Sequence, residues 1–287
     1  MITPMKRLLP FLALAALLPQ LASADTTIGT AITALPHTIT KPGLYRLTKR
    51  LAYSPLSGNA ITIEATDVVI DLNGYELIAV AGATNIAAGI ECSAQSRITV
   101  KNGTIRGFQN GVVLGSDDAL ITDLLVTDCL QSGISVLGNH SQILRNRVYD
   151  IGGSGNSSVA YAIGITLTGT YGTIADNDVH SVFETDNASR LADGIRLHGC
   201  SNIIVSNNRV SNIEPVVPTK AGSTGISADP TDPSTILIFL SNTVLTTGTA
   251  FDLSGGQSGK YGDNITSNIT TDYFTTGSGM TSIGNNN

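Results

Sequence analysis

Along most of the chain the apolar side chains fall at every second position in short runs, such as Ile90-Glu91-Cys92, Ile134-Ser135-Val136 and Ile195-Arg196-Leu197. A period of two over so few residues predicts strands with one face buried and the other in solvent. The runs are marked by a recurring signal of a glycine followed by an apolar residue: Ala88-Gly89-Ile90, Asn110-Gly111-Val112, Ser132-Gly133-Ile134, Ile163-Gly164-Ile165, Asp193-Gly194-Ile195 and Thr224-Gly225-Ile226. The glycines lie 22, 22, 31, 30 and 31 residues apart. Three apolar stretches follow each signal, so one repeat is predicted to be one coil of three short strands. The whole is an all-β solenoid of about eight coils.

A second column supports that register. About 13 residues after the glycine comes an asparagine, at Asn102, Asn146, Asn177 and Asn207, with Asn73 and Asn242 in matching contexts and Leu124 as the exception. Asparagine tolerates left-handed backbone, and its amide bonds to the turns above and below, so the column predicts a structural ladder. The next column, Arg147, Asp178 and Arg209, alternates in sign ahead of Val148, Val179 and Val210. Stacked about 4.8 Å apart, it predicts a surface charge ladder of modest worth.

Composition agrees with strands and turns: charged residues are 13%, aromatics 5%, Trp is absent and Gly numbers 30. No Pro-rich or charged linker interrupts the middle, so a single elongated unit is expected. Lys6 and Arg7, the apolar run Leu8 to Leu18 and Ala22-Ser23-Ala24 have the order of a signal peptide over 1–24, which predicts a secreted or periplasmic protein. The run is shorter than the roughly 20 residues of a bilayer span, so no integral membrane segment is expected after cleavage. The remainder divides into a lead-in and cap segment over 25–57, the solenoid over 58–270 and a polar tail over 271–287. Beyond residue 24 the chain carries 14 basic and 22 acidic residues, a net charge of −8 that argues against general nucleic-acid binding. Cys92, Cys129 and Cys200 allow at most one intramolecular disulfide, and Cys92, in phase with Ile90, is expected to point inward as a small apolar residue.

The coil repeat and the asparagine column, over about Ser57 to Thr270, resemble the pectate-lyase-like superfamily of right-handed parallel β-helices. The stretch Ile39-Thr40-Lys41-Pro42-Gly43-Leu44-Tyr45-Arg46-Leu47, followed by Val69-Ile70-Asp71-Leu72-Asn73-Gly74, is similar to the opening of many bacterial secreted β-helix proteins. The resemblance implies a cover over the open N-terminal end of the solenoid. It also implies polysaccharide as the partner, lying in a groove on the coil surface.

Function is sought in a site, because the fold alone does not fix it. The extra residues of the three long repeats fall at one corner, Gly152 to Tyr161, Glu184 to Ala192 and Glu214 to Ser223, ahead of the first strand of the next coil. Stacked loops there build a wall beside that strand. On the strand itself Arg196 and His198, two apart, face the same way; the equivalent positions one coil on are Ser227 and Asp229, and one coil back Thr166 and Thr168. With Asp193 at the corner, the catalytic candidates are Asp193, Arg196, His198 and Asp229. Against a uronate polymer, Arg196 or a calcium ion held by carboxylates would neutralise the sugar carboxylate while His198 takes the neighbouring proton, giving elimination or epimerisation. Against a glycosidic bond, Asp193 and Asp229 would act as acid and base. The alternative is a non-catalytic surface or polysaccharide-binding β-helix. Asp193-Gly194-Ile195 resembles the start of the polygalacturonase pattern, whose paired aspartates and Gly-His-Gly are absent here. Asp229-Pro230-Thr231-Asp232 resembles the Asp-Pro-His-Asp motif of alginate C5-epimerases, with Thr231 in place of the histidine. Asp117-Asp118, His140 and His180 read as turn and surface residues. Arg145, Arg147, Arg190, Arg196 and Arg209 give the middle coils a local excess of cations.

Overall fold

The computed structural model describes residues 29–154, 161–184, 191–215, 222–229, 236–253, 258–276 and 279–286. The expected signal segment over 1–24 and most of each long corner stretch lie outside the described residues. Strands and turns make up what is described, with no helix among them. Successive rungs pair in parallel and wind into a right-handed β-helix with three faces, here A, B and C.

Face A stacks His37–Ile39, Asn59–Ile63, Ala88–Ser96, Asn110–Asp117, Ser132–Leu137, Tyr161–Thr168, Leu191–His198 and Ser223–Asp229, and ends in the second halves of Thr243–Leu253 and Ile265–Thr276. Face B runs from Thr30–Ile32 to Gly279–Ser282, and face C from Leu51–Tyr53 to the first half of Ile265–Thr276. The stack is longer at both ends than the glycine signals delimit. Ala60 and Ala250 take the glycine's place in two of the outer rungs of face A. Parallel rungs also occur in the lead-in segment, and Gly279–Ser282 of the tail pairs with Ser258–Gly262.

The core consists of columns. Ile90, Val112, Ile134, Ile165, Ile195 and Ile226 lie directly above one another, fully buried, and each such side chain contributes roughly 1.5–3 kcal/mol by leaving water. Cys92 shares the neighbouring column with Leu114, Val136 and Leu167 and points inward. All three cysteines are buried and unpaired. Burial pushes the Cys129 thiol up to about 12 and the Cys200 thiol up to about 11, so both stay protonated and inert. The glycine column has a steric cause. A Cβ on Gly164 would stand 2.5 Å from Val179 Cγ1 and 2.6 Å from the Gly194 carbonyl oxygen, and one on Gly194 would stand 2.4 Å from Val210 Cγ1 and 2.6 Å from the Gly225 oxygen. The valines of face C fill the volume that those side chains would need.

The corner between faces B and C carries the asparagines, in two adjacent columns. Asn102, Asp123, Arg145, Asp176, Asn207, Ser241 and Asp263 turn the chain with φ between 54° and 60°. The residue after each of the later members points inward. Asn146, Asn177, Asn208, Asn242 and Asn264 are buried there, and each side-chain amide donates to the next amide oxygen at 3.0–3.2 Å, ending on Asn286. The expected ladder is therefore corrected at three places. Asn207 belongs to the turning column and Asn208 to the ladder, because that coil has one more residue; Asn73 and Asn102 also turn the chain and stay out of the ladder. Leu124 occupies a ladder position and donates its backbone N–H to Asn146 Oδ1 at 3.0 Å, which closes the ladder at that end. In the charge column Arg209 pairs with Asp178 at 3.1 Å, while Arg147 lies over the Tyr149 ring at 5.9 Å.

Candidate functional site

Two adjacent rungs of face A, Leu191–His198 and Ser223–Asp229, hold the expected site residues. Their register sets Asp193 beside Thr224, Arg196 beside Ser227 and His198 beside Asp229. Strand alternation sends Arg196 and His198 out of one face. Asp193 precedes the glycine, where the coil turns from face C onto face A, and only 5% of it is exposed.

The four side chains converge. Arg196 reaches Asp193 Oδ2 and Asp229 Oδ2 at 3.9 Å each, and His198 Nδ1 lies 3.3 Å from the same Asp229 oxygen. The guanidinium is held from the preceding rung by Tyr161, whose ring centre is 5.3 Å from Cζ. Burial raises the Asp193 carboxyl to about 6, against the pull of Arg196 and of the Ser227 and Thr224 hydroxyls; the nearby Asp252 charge pushes in the same direction as burial. Asp229 and His198 are more than half exposed. The site thus offers a buried acid poised near neutral pH, a carboxylate-linked imidazole and a cation between them.

Asp193, Arg196 and Asp229 line a pocket of about 430 Å³ that also includes Leu191, Thr224, Ser227, Thr249 and Asp252, and His198 adjoins it through Asp229. Asp252 and Tyr161 were not legible as site residues. Asp252 occupies the Arg196 column two rungs on, through Ser227. Its rung carries Ala250 at the glycine position, and a small residue 25 positions after Gly225 is the signal that could have found it. Tyr161 follows a long corner stretch, and nothing local in the sequence marks its contact with Arg196. The wall expected from the long loops falls largely on 155–160, 185–190 and 216–221, outside the described residues, as do Arg190, Pro230, Thr231 and Asp232. Arg145 and Arg209 do not join the pocket; each forms an ion pair between rungs elsewhere on the coil, at 3.0 Å with Asp123 and 3.1 Å with Asp178. Among the described residues no cluster of three or more His, Cys, Asp or Glu side chains is arranged to hold a metal ion. Arg196 stands within reach of both Asp193 and Asp229.

Residues 88–287 match the family model described as the right handed beta helix region. No curated protein sequence matches the chain. Among solved structures it is similar to the Dettilon tailspike protein, at 15% identity and a TM-score of 0.56 over 88% of this chain and 54% of that one. It is also similar to the periplasmic alginate epimerase AlgG, at 12% and 0.51 over 88% and 77%, and to the alginate lyase of Paenibacillus sp. str. FPU-7, at 11% and 0.53 over 85% and 99%. The chain spans about half the length of that tailspike. At these identities the likeness concerns the fold.

Proposed function

The chain belongs to the right handed beta helix family, and on that premise we propose that it acts outside the cytoplasm on an acidic polysaccharide laid along face A. The observation that carries this reading is the chain of contacts that joins Asp193, Arg196, Asp229 and His198 at 3.3–3.9 Å, the first three lining one pocket. Two of the similar structures, a lyase and an epimerase, are named for alginate, a polymer of uronic acids, which supports the substrate class.

The geometry fits β-elimination best, because that reaction uses all four groups. Arg196 faces the sugar carboxylate and stabilises the negative charge that builds on it. His198, oriented by Asp229, takes the proton from the carbon next to the carboxylate. The bond to the glycosidic oxygen one carbon further breaks, a carbon–carbon double bond forms, and Asp193 returns a proton to the departing oxygen. A carboxyl held up to about 6 still carries that proton in weakly acidic solution. Hydrolysis is the second reading, favoured by the presence of two carboxylates, one buried and one exposed, on either side of Arg196.

Mass spectrometry of uronate and neutral polysaccharides after incubation with the protein, with and without calcium, separates these outcomes. Unsaturated fragments are expected. Water-added fragments would replace elimination by hydrolysis, and unchanged chains, once isomerisation has also been excluded, would overturn the catalytic reading in favour of a binding protein.

A further inference from the structure

We propose that Tyr171, stacked on His140 at the corner between faces A and B, is a platform for one sugar ring of the polymer, lying beyond the cluster described above. The two rings are 5.6 Å apart with planes 14° from parallel. They sit at equivalent turning positions of adjacent coils, with φ of 57° and 55°. Asp118, one coil further back, places Oδ1 3.6 Å from His140 Nδ1, and the His140 backbone N–H donates to the Thr170 carbonyl at 2.7 Å. The tyrosine ring is therefore held from below by a supported neighbour, and it loses little freedom when a ligand covers it.

Tyr171 is 62% exposed, compared with 39% for Tyr161 and 38% for Tyr75. It is not a lone apolar residue on the surface. Leu137, also 62% exposed, lies at the end of a face A rung and pairs with Thr168, three residues before Tyr171. The surroundings are hydroxyls and amides: Thr170 Oγ1 donates to Asn139 Oδ1 at 2.8 Å, and Asn202 Nδ2 donates to Ser201 Oγ at 3.1 Å. A small apolar centre with a polar rim matches a sugar ring, which has C–H faces and hydroxyl edges. It does not match a protein partner, which needs about 800 Å² from each side.

Position supplies the link to the cluster. Tyr171 closes the rung Tyr161–Thr168, which pairs directly with Leu191–His198. Rungs are about 4.8 Å apart, so a chain running along face A past His198 meets the Tyr171 rung next and the Leu137 rung after it. This path rests on the reading of face A as the polysaccharide surface; ring binding by Tyr171 does not require that the cluster be catalytic.

The test is retention of the full chain in gels containing alginate, polygalacturonate or dextran, with Asp229→Asn present throughout so that no polymer is degraded. Tyr171→Ala should weaken retention on at least one polymer by about fivefold, equivalent to about 1 kcal/mol, while Tyr171→Phe keeps it. Circular dichroism should show unchanged melting for Tyr171→Ala, since the ring is largely in solvent; Leu137→Ala provides a second, equally surface-confined variant with a smaller loss in the same direction. Retention of Tyr171→Ala equal to that of its parent, or no retention of the parent on any of the three polymers, overturns the proposal. If native protein leaves every polymer intact yet retention depends on Tyr171, the catalytic reading fails and the platform stands.

Discussion

The asparagine corner and the pocket on face A are built on the same repeating coil, yet they use it in opposite ways. At the corner one residue type recurs from Asn146 to Asn264, and every amide has partners: Asn177, for instance, donates to Ile143 O, Ala175 O and Asn208 Oδ1 at 2.9–3.0 Å and accepts from Asn146. On face A, successive rungs present different groups at equivalent positions, Thr166, Arg196, Ser227 and Asp252 in a single column. The ionic contacts of Arg196 are loose, at 3.9 Å. A repeat that stays identical satisfies itself, whereas a repeat that changes residue from rung to rung leaves charge available for something outside the fold.

The contrast predicts that stability and turnover separate. The largest effect is expected from His198→Ala and Asp229→Asn, which should lower turnover on a uronate polymer by about 10²- to 10⁴-fold without moving the melting transition. Steady-state kinetics together with calorimetry read both quantities; a melting loss that tracks the loss of activity would merge the two regions into one. In the ladder, Asn177→Leu should cost about 3 kcal/mol, because it strands the buried Asn146 N–H and backbone carbonyls, while activity per folded molecule is kept at temperatures well below melting. Urea denaturation followed by an activity assay at low temperature measures both.

Asp193 should give an intermediate effect with a definite sign. Its folded carboxyl is raised from 3.8 to about 6, so the folded state binds more protons than the unfolded state between those values. Stability from this group is full below about pH 4 and is lost as pH rises through about 6, on the order of 2–3 kcal/mol in all. Asp193→Asn should flatten that slope in a series of denaturant midpoints from pH 4 to 7; an unchanged slope would mean that the carboxyl is not buried as described. The smallest effect belongs to the surface charge column. Asp178→Asn removes an exposed pair with Arg209 and should change stability by about 0.5 kcal/mol or less, less still in high salt.

Much of the scaffold was legible in the sequence because its causes are local and repeated. Period-two alternation places Ile90, Ile134 and Ile195 inward, and the clash of a Cβ with the next rung forces glycine in the middle coils, at Gly164 and Gly194 for instance. The asparagines were legible as a column but not as two. A count from the glycine lands on Asn207, and only the three-dimensional register shows that the ladder passes through Asn208. The site was partly legible, since Arg196, His198 and Asp229 follow from strand parity plus one coil offset. Asp252 and Tyr161 were missed because their relation to Arg196 depends on a rung without the glycine signal and on a ring reaching across rungs.

The sequence by itself determined the strands, the coil and the face each strand turns to solvent, since these follow from side-chain alternation and steric limits within a few residues. Tertiary structure alone decided that Asp193 is buried, that Arg196 stands between two carboxylates and that Tyr171 rests on His140. Those facts depend on which coils become neighbours and on how much water their packing excludes, and both are set by the summed lengths of every coil between them.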